Sequence, residues 1–436
     1  MKGKVVVAGA GLGGLFAAEL LGKAGCEVTV YERAKDLDSM RYDWHDDVAA
    51  NSLESLGLEM PKESWKKADF TFVSPYEGAM MDVTIEDESK KDISVERRPL
   101  NKMLYDRAAK YANIVFDANV EGPIFENGKV SGIIINGKEE RADLVIDSTG
   151  VESPLREKVG LGDAAVADPK TVFYAYRAFY KRNPEAEIPK KKSKVYMKHL
   201  GEDGLSWCIC DHNPDLVNVL VGRVVNLSEE QLKRALDDLK KLNPVLTDEI
   251  KRGGMVCKIP VRYPLTKMVT DGYAAIGDCA FMTIPMLGSG IVSSLKAAKL
   301  LAEAVINAKD ASKEELYTYQ VKVFNDFGAE HCAVDTLKRF LLSCTPDEIT
   351  FLFGSGVLSE ADLQSASGGG TVKMTPSALI EKLKAGRKNL PFLIRLAGAV
   401  SRSEKASKTA KKIPSRYDEA KIEKWSRKLE KLVNGL

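Results

Sequence analysis

The sequence has few of the residues that build disulfide or metal sites. Its seven cysteines are odd in number, and no two of them are spaced as CxxC. They are Cys26, Cys208, Cys210, Cys257, Cys279, Cys332 and Cys344. This pattern is typical of a reducing compartment, and it argues against a disulfide scaffold and against a zinc or iron–sulfur centre. We therefore expect no metal site.

Long apolar runs are also lacking. No stretch reaches about 18 uncharged apolar residues, which is the length that a membrane-spanning helix needs. The apolar run in the opening MKGKVVVAGAGLGG is too short for a signal peptide and is interrupted by glycines. We expect a cytoplasmic protein, and peripheral contact with the inner face of the membrane stays open.

Charge is unevenly distributed along the 436 residues, although the formal net charge is only +2. Residues 371–436 contain 17 Lys and Arg against 6 Asp and Glu, a net charge of +11, whereas residues 1–370 have a net charge of −9. This basic tail is either a helical cap packed on the body or an amphipathic surface for an anionic membrane. Its apolar positions include Leu383, Leu390, Phe392, Leu393, Leu396 and Val400. We do not expect nucleic acid binding, because no base-reading motif accompanies the charge.

A strand, a glycine turn and a helix follow one another at the start of the chain. Val5–Val7 is a buried-strand run, residues 9–14 read GAGLGG, and Leu15–Leu21 is apolar and helix-forming. This order of elements is what gives the GxGxxG pattern its meaning as a dinucleotide-binding turn.

Each residue type in this turn has a physical use. Gly9 permits the tight turn, Gly11 lets a pyrophosphate approach the backbone, and Gly14 lets the helix pack closely on the strand. Glu32 follows the second strand, where a carboxylate accepts hydrogen bonds from an adenosine ribose, and Arg33 lies beside it. The phosphates would meet a helix N-terminus.

A second glycine turn identifies the dinucleotide. Tyr273–Ile276 reads as a strand, and it is followed by Gly277 and Asp278. Asp278 can bind the hydroxyls of a ribityl chain, which nicotinamide dinucleotides lack. Next comes a helix start that exposes backbone N–H groups and favours negative charge at a flavin ring. Its residues are Gly288, Ser289, Gly290 and Ile291. The two turns together imply FAD.

With these residues in place, the sequence resembles the geranylgeranyl reductase family of flavoproteins, which shares its fold with aromatic monooxygenases of the para-hydroxybenzoate hydroxylase type. Besides the two glycine turns, the likeness rests on Arg97 in ERRPLNKML, to which the resemblance gives a flavin-contacting role. It also rests on Gly150, Ser153 and Arg156, which match the family's G-x-x-S-x-x-R element. These stretches lie within residues 1–305, so the last 130 residues are unmatched.

Two departures from the family patterns are informative. GLSWCICDHNP keeps only Trp207 of the reductases' Y-x-W-x-F-P strand, so Trp207 is either a wall of an apolar substrate pocket or a core residue. Thr149 stands where the aromatic monooxygenases have an Asp that helps to seat FAD and the nicotinamide donor. This replacement argues against hydroxylation driven by NAD(P)H.

The stretch RYDWHDDV, residues 41–48, offers a candidate acid. Reduction of a C=C bond needs a hydride and a proton from a positioned group. Carboxylates at Asp43, Asp46 and Asp47 would favour the imidazolium form of His45 and keep it charged for proton delivery. The alternative is structural, with Asp46 or Asp47 as the N-cap of a helix over residues 46–58.

We predict a mixed α/β fold with a Rossmann-like FAD-binding domain, an inserted and mostly antiparallel β-sheet substrate domain, and a helical C-terminal region. The FAD-binding domain comprises residues 1–68, 96–165 and 255–308, and the substrate domain comprises residues 69–95 and 166–254. The helical C-terminal region is 309–436, and it contains a Gly- and Ser-rich connector at 365–377.

The predicted protein is an FAD-dependent oxidoreductase that reduces or dehydrogenates a C=C bond of an apolar substrate, isoprenoid or alicyclic. Because no nicotinamide site is visible, the expected electron donor is a ferredoxin-like or other protein. Two alternatives stay open, an aromatic monooxygenase and a flavin-binding protein whose redox state controls contact with a membrane or partner.

Overall fold

The computed structural model describes residues 1–40, 42–67, 69–161, 168–210, 212–359 and 386–435. Its strands are β1 (Lys4–Ala8), β2 (Glu27–Tyr31), β3 (His45–Val48), β4 (Ser64–Lys66), β5 (Phe70–Val73), β6 (Met80–Val83), β7 (Ile93–Glu96), β8 (Asn113–Val115), β9 (Val120–Glu126), β10 (Lys129–Ile135), β11 (Lys138–Arg141), β12 (Leu144–Asp147), β13 (Val172–Arg182), β14 (Ser193–Met197), β15 (Gly204–Ile209), β16 (Leu216–Val224), β17 (Leu246–Pro260), β18 (Val269–Thr270) and β19 (Tyr273–Ala275). Its α-helices are α1 (Leu12–Lys23), α2 (Arg97–Ala108), α3 (Glu229–Leu242), α4 (Ile291–Asn307), α5 (Lys313–Val323), α6 (Ala329–Ser343), α7 (Pro346–Gly354), α8 (Leu390–Ala410) and α9 (Glu419–Asn434).

A six-stranded sheet carries the two glycine turns. Its order is β18-β19-β12-β1-β2-β8, and all neighbours except β18 and β19 run parallel. Val5–Val7 in β1 is fully buried, as expected for the middle of a parallel sheet covered on both faces. Because β1 and β19 run in the same direction, the turns that follow them meet at one edge of the sheet.

A seven-stranded, mostly antiparallel sheet forms the second layer. Its order is β17-β13-β16-β15-β14-β5-β6, and only β14 and β5 pair in parallel. Helix α3 covers one face with Ala235 and Leu239, and it begins with a capping box between Ser228 and Gln231. The predicted fold class is confirmed, whereas the domain boundaries stay a prediction.

The proposed helix over residues 46–58 is wrong. His45–Val48 forms β3, which pairs antiparallel with β7 in a sheet of order β3-β7-β4. Asp46 and Asp47 are strand residues whose carboxylates bind cations, so neither caps a helix. Long-range pairing with β7 decides the conformation here, and local helix signals do not.

The helical C-terminal region packs against both sheets. In α8, Phe392 and Leu393 are buried, as the packed-cap alternative predicts, whereas Leu390 and Ile394 are exposed. Leu383 and the connector at 365–377 lie outside the described residues. None of the helices in the described ranges is long and apolar enough to span a bilayer.

A buried ion network fixes helix α6. Asp335 is fully buried, and it accepts a hydrogen bond from the backbone N–H of Tyr263 at 3.2 Å. Its carboxylate also pairs with Lys338 at 2.9 Å and with Arg339 at 3.2 Å. One side chain therefore holds the helix against the segment that follows β17.

We expect Asp335→Ala to lower the free energy of unfolding by about 3–5 kcal/mol, because it leaves Lys338 and Arg339 without their buried counter-ion. The control is Asp106→Ala, which breaks an exposed pair with Lys102 on α2 and should cost less than about 1 kcal/mol. Urea unfolding followed by circular dichroism measures both variants. Equal midpoints would contradict the role given to Asp335.

Candidate active site

A cavity of about 1390 Å³ extends between the two large sheets and the C-terminal helices. Residues of both glycine turns line it, as do residues of β3, β13, β15 and β16 and of helices α6, α7 and α8. The cavity therefore extends from the two glycine turns to the seven-stranded sheet and the C-terminal helices.

The first glycine turn fits a pyrophosphate. Gly9 has a φ of +93°, and a Cβ there would lie 2.5 Å from the Ser148 carbonyl oxygen. A Cβ on Gly14 would lie 2.3 Å from the Gly9 carbonyl oxygen, so the protein itself requires both glycines. Gly11 differs, because its Cβ would come no closer than 3.5 Å to protein while it lines the cavity. A ligand, not packing, accounts for glycine at this position.

The N-terminus of α1 adds to this fit. The helix begins at Leu12, and no side chain caps its first N–H groups. Glu32 accepts hydrogen bonds from the backbone N–H of Ala10 at 2.8 Å and of Ala34 at 2.9 Å. Each of its oxygens keeps a second lone pair for a ribose hydroxyl. Glu32 and Arg33 both line the cavity.

The second glycine turn opens on the same cavity. Asp278 accepts a hydrogen bond from Thr283 at 2.9 Å, and burial raises the pKa of its carboxyl above the ordinary value. A Cβ on Gly290 would lie 2.9 Å from the Thr283 hydroxyl, so this approach requires glycine. Helix α4 starts directly afterwards without a side-chain cap. The residues from this turn that line the cavity are Gly277, Asp278, Gly288, Ser289, Gly290 and Ile291.

Arg97 reaches the cavity from the start of α2. Its Nη1 donates to Asp46 at 2.9 Å, and its guanidinium lies 4.8 Å from the centre of the Tyr42 ring. Its Nε is buried and has no hydrogen-bond partner among the described residues. A buried donor without a partner is satisfied by a ligand or by water, which agrees with the flavin contact predicted for Arg97.

The G-x-x-S-x-x-R element has a structural use. Ser153 accepts hydrogen bonds from the backbone N–H of Arg156 and bonds Asp147, and Arg156 donates to the Cys279 carbonyl at 3.1 Å. These hydrogen bonds hold the loop after β12 against the loop that contains Asp278. Thr149 donates to Asp147, which is fully buried in these bonds and takes no part in lining the cavity.

His45 lines the cavity, but it is not the charged group that the sequence predicts. Burial, assisted by the positive charge of Arg177, lowers the pKa of His45 to about 3. The expectation of an imidazolium held by carboxylates is therefore wrong, because those carboxylates have other partners. Asp46 binds Arg177 at 2.9 Å, and Asp47 binds Lys67 at 2.7 Å. A role for His45 in the reaction stays a prediction.

Sequence reasoning missed Arg177, which lies among three aromatic rings. Its guanidinium is 5.2 Å from the Trp207 ring centre and 5.7 Å from those of Trp44 and Phe179. Trp207 is half-buried and lines the cavity, as the pocket-wall alternative requires. The signal was present, because Arg177 is the one charge within the apolar run TVFYAYRAFY.

Two further cavity residues escaped notice. Asn218 interrupts the apolar run LVNVLV of β16 and is buried, with hydrogen bonds to Trp207 and His45. Asp92 lies beside Asp47 and Lys67, and burial raises the pKa of its carboxyl. No sequence pattern could have identified Asp92, because its neighbours in the chain do not indicate that it faces a cavity.

The far end of the cavity is an apolar chamber between the seven-stranded sheet and helices α6, α7 and α8. We define it by six side chains of one hydrophobic cluster that line the cavity: Phe72, Met197, Phe340, Leu352, Phe353 and Leu396. Such a surface binds apolar ligands by burial and offers them no directional contact.

Comparison with known proteins supports FAD as the ligand of this site. Residues 2–323 match the family model described as FAD binding domain. The chain is 24% identical to the digeranylgeranylglycerophospholipid reductase of Sulfolobus acidocaldarius, over 94% of this chain and 92% of the relative. It is 26% identical to digeranylgeranylglycerophospholipid reductase 2 of Methanopyrus kandleri, over 75% and 84%.

Solved structures show the same fold. A geranylgeranyl bacteriochlorophyll reductase-like protein from Thermoplasma acidophilum superposes with a TM-score of 0.73 at 19% identity, covering 90% of this chain and 99% of its own. The flavin-dependent halogenase CmlS gives a TM-score of 0.59 at 18% identity, covering 98% and 77%. The protein is thus an FAD-dependent oxidoreductase, and it is similar to proteins of the geranylgeranyl reductase type. The chain belongs to the FAD binding domain family.

We expect Gly11→Ala to weaken FAD binding at least about tenfold, which is ~1.4 kcal/mol, while the flavin-free protein keeps its melting temperature. Its methyl group would fill ligand space and touch protein only at 3.5 Å. Gly14→Ala is the matched control, because its methyl group collides with the Gly9 carbonyl and should lower the melting temperature itself. Titration of FAD into both flavin-free variants measures their affinities. If Gly11→Ala binds FAD as tightly as the parent protein does, Gly11 does not contact the pyrophosphate.

Proposed function

We propose that this protein reduces C=C bonds in the isoprenoid chain of a lipid. The main support is that one cavity joins two flavin-type glycine turns to an apolar chamber. Relatives that align with most of the chain are named as reductases of a digeranylgeranyl phospholipid. The opposite reaction, dehydrogenation, would use the same groups.

In this proposal the two turns divide the cofactor between them. Gly9 and Gly11 hold the pyrophosphate, Gly14 allows the close packing of α1, and Glu32 and Arg33 lie at the ribose. Arg97 and the residues of the second turn hold the ring end; the latter are Gly277, Asp278, Gly288, Ser289, Gly290 and Ile291. FAD, when bound, supplies hydride from the N5 atom of its reduced ring.

The proton has two candidate sources. His45 is the one that the sequence suggested, but its imidazole is uncharged at neutral pH. Asp92 is a cavity carboxyl whose pKa is raised by burial, so it keeps its proton to a higher pH than an exposed aspartate does. The proposal favours Asp92 on this ground.

We propose a ferredoxin-like protein as the electron donor. The Asp that seats the nicotinamide donor in the aromatic hydroxylases is replaced by Thr149. Asp147 cannot substitute for it, because its carboxylate is buried in hydrogen bonds with Ser153 and Tyr273. The same observation disfavours the alternative of aromatic hydroxylation.

We expect the chemically reduced enzyme, kept without oxygen, to add two hydrogen atoms to each reduced double bond of a geranylgeranyl lipid. Mass spectrometry of the extracted lipid measures the gain. An unchanged lipid, together with hydroxylated phenols when the reduced enzyme is mixed with air, would instead establish the monooxygenase alternative.

A matched pair of variants on α8 links this reaction to the chamber. Leu396→Trp fills the chamber, so it should stop reduction of a long isoprenoid while a short one still reacts. Ser401→Trp is the control, because Ser401 is exposed on the same helix and lies outside the cavity lining. Equal effects of the two variants would exclude the chamber as the binding site.

We also propose that the start of α8 contacts an anionic bilayer on the cytoplasmic side. Leu390 and Ile394, which is 73% exposed, form an apolar face beside the exposed basic residues Arg387 and Lys388. Apolar insertion and attraction to anionic lipid then act together. The opposite side of this helix carries Leu396 into the chamber, so a lipid chain has a short path from bilayer to cavity.

We expect Ile394→Glu to reduce binding to vesicles that contain anionic phospholipid by roughly tenfold or more, because burying an isoleucine is worth about 1.5–3 kcal/mol. Ile306→Glu is the control, since Ile306 is 45% exposed near the end of α4. Vesicle flotation measures the bound fraction. If the parent protein does not float, or if both variants float equally, this contact is absent.

A further inference from the structure

Asn218 is the one polar residue within the apolar run LVNVLV of strand β16. It lies on β16, opposite Phe179 of β13 and Ile209 of β15, and only 2% of it is exposed. A buried amide is costly unless its polar atoms find partners. The partners of Asn218 therefore explain why an amide is placed here.

The orientation of this amide follows from its donors. Its Oδ1 accepts from Trp207 Nε1 at 3.1 Å and from Arg177 Nε at 3.3 Å. An indole N–H and a guanidinium N–H can only donate. The reversed amide would set its NH₂ against two donors, so Oδ1 must face them and Nδ2 must face the other way.

The amide then determines the tautomer of a histidine. Nδ2 of Asn218 lies 3.2 Å from Nε2 of His45. Because Nδ2 can only donate, Nε2 must accept, and it carries no proton. The neutral ring therefore has its proton on Nδ1. An imidazolium would bring N–H of His45 against N–H of Asn218.

Most of the charges that face His45 also favour the neutral ring. Burial and the positive charges of Arg177 on β13 and Arg252 on β17 lower its pKa, as does His212, which follows β15. Asp47 on its own strand is the opposing charge, and its effect is smaller than those of burial and Arg177. The geometry and the charges both keep the ring neutral.

We propose that Asn218 is a positioning residue, aligned by Trp207 and Arg177, that fixes His45 as a neutral imidazole with its proton on Nδ1. What this means for the reaction depends on the proposed function. His45 then presents an uncharged ring beside the substrate and does not deliver the proton of reduction as an imidazolium. The pH dependence of reduction accordingly shows no histidine ionisation near its ordinary pKa of about 6.5.

The test is ¹⁵N NMR of histidine-labelled protein with its flavin, with His45 assigned by loss of its signals in His45→Gln. We expect Nδ1 of His45 to be protonated and Nε2 unprotonated throughout about pH 5 to 8. In Asn218→Asp a carboxylate replaces the NH₂ group, so Nε2 should gain a proton. The rate of reduction should then acquire a new ionisation within this pH range.

Each outcome is decisive. A proton on Nε2 in the parent protein, or titration near pH 6.5, would overturn the proposal, and this measurement needs no variant. An unprotonated Nε2 in folded Asn218→Asp would overturn the positioning role. His199 is the internal control, because its partners Ser206 and Asp238 are unchanged and its signals should not move. A protein that shows the expected tautomers but reduces no lipid would count against the proposed function alone.

Discussion

One carboxylate between two guanidinium groups holds the site together. Asp46 binds Arg97 with one oxygen and Arg177 with the other, both at 2.9 Å. Arg97 begins a helix of the nucleotide-binding part, and Arg177 lies in the seven-stranded sheet. The loss of Asp46 would leave two cations facing each other without their shared counter-ion, which destabilises such a network. Together with the two hydrogen bonds from Arg252 of β17 to Glu96 of β7, this bridge links the sheet to the nucleotide-binding part.

The bridge also determines which groups can be charged. Asp46 binds two arginines and Asp47 binds Lys67, so the negative charge of both carboxylates is largely balanced by other cations. A protonated His45 would add positive charge beside Arg177 in a buried place, and the low pKa of His45 reflects this. A neutral histidine is therefore a consequence of its burial beside Arg177.

The sequence predicted well what neighbouring residues decide and poorly what distant ones decide. The glycine turn with Glu32, the Asp278 loop and the antiparallel strands were predicted because each has its signal within about 30 residues. The charge of His45 was mispredicted because three aspartates adjacent in sequence were counted as its partners. The carboxylate of Asp46 binds Arg177, which is 131 residues further along the chain. The Nε2 atom of His45 binds Asn218, which is 173 residues further along. Such pairings have no local signal.

The size of the cavity has a consequence for selectivity. At about 1390 Å³ it exceeds the range of roughly 300–1,000 Å³ usual for a single ligand, so a dinucleotide can occupy one end and leave the chamber free. An apolar chain in the chamber is held by burial, which has no direction, so it can slide. The polar cluster around Arg177 and Asn218 resists entry of an apolar chain, because its charge would be left facing apolar groups. Under the proposed function, we therefore expect this cluster to stop the chain, and the position of the chain against the cluster to decide which double bond reacts.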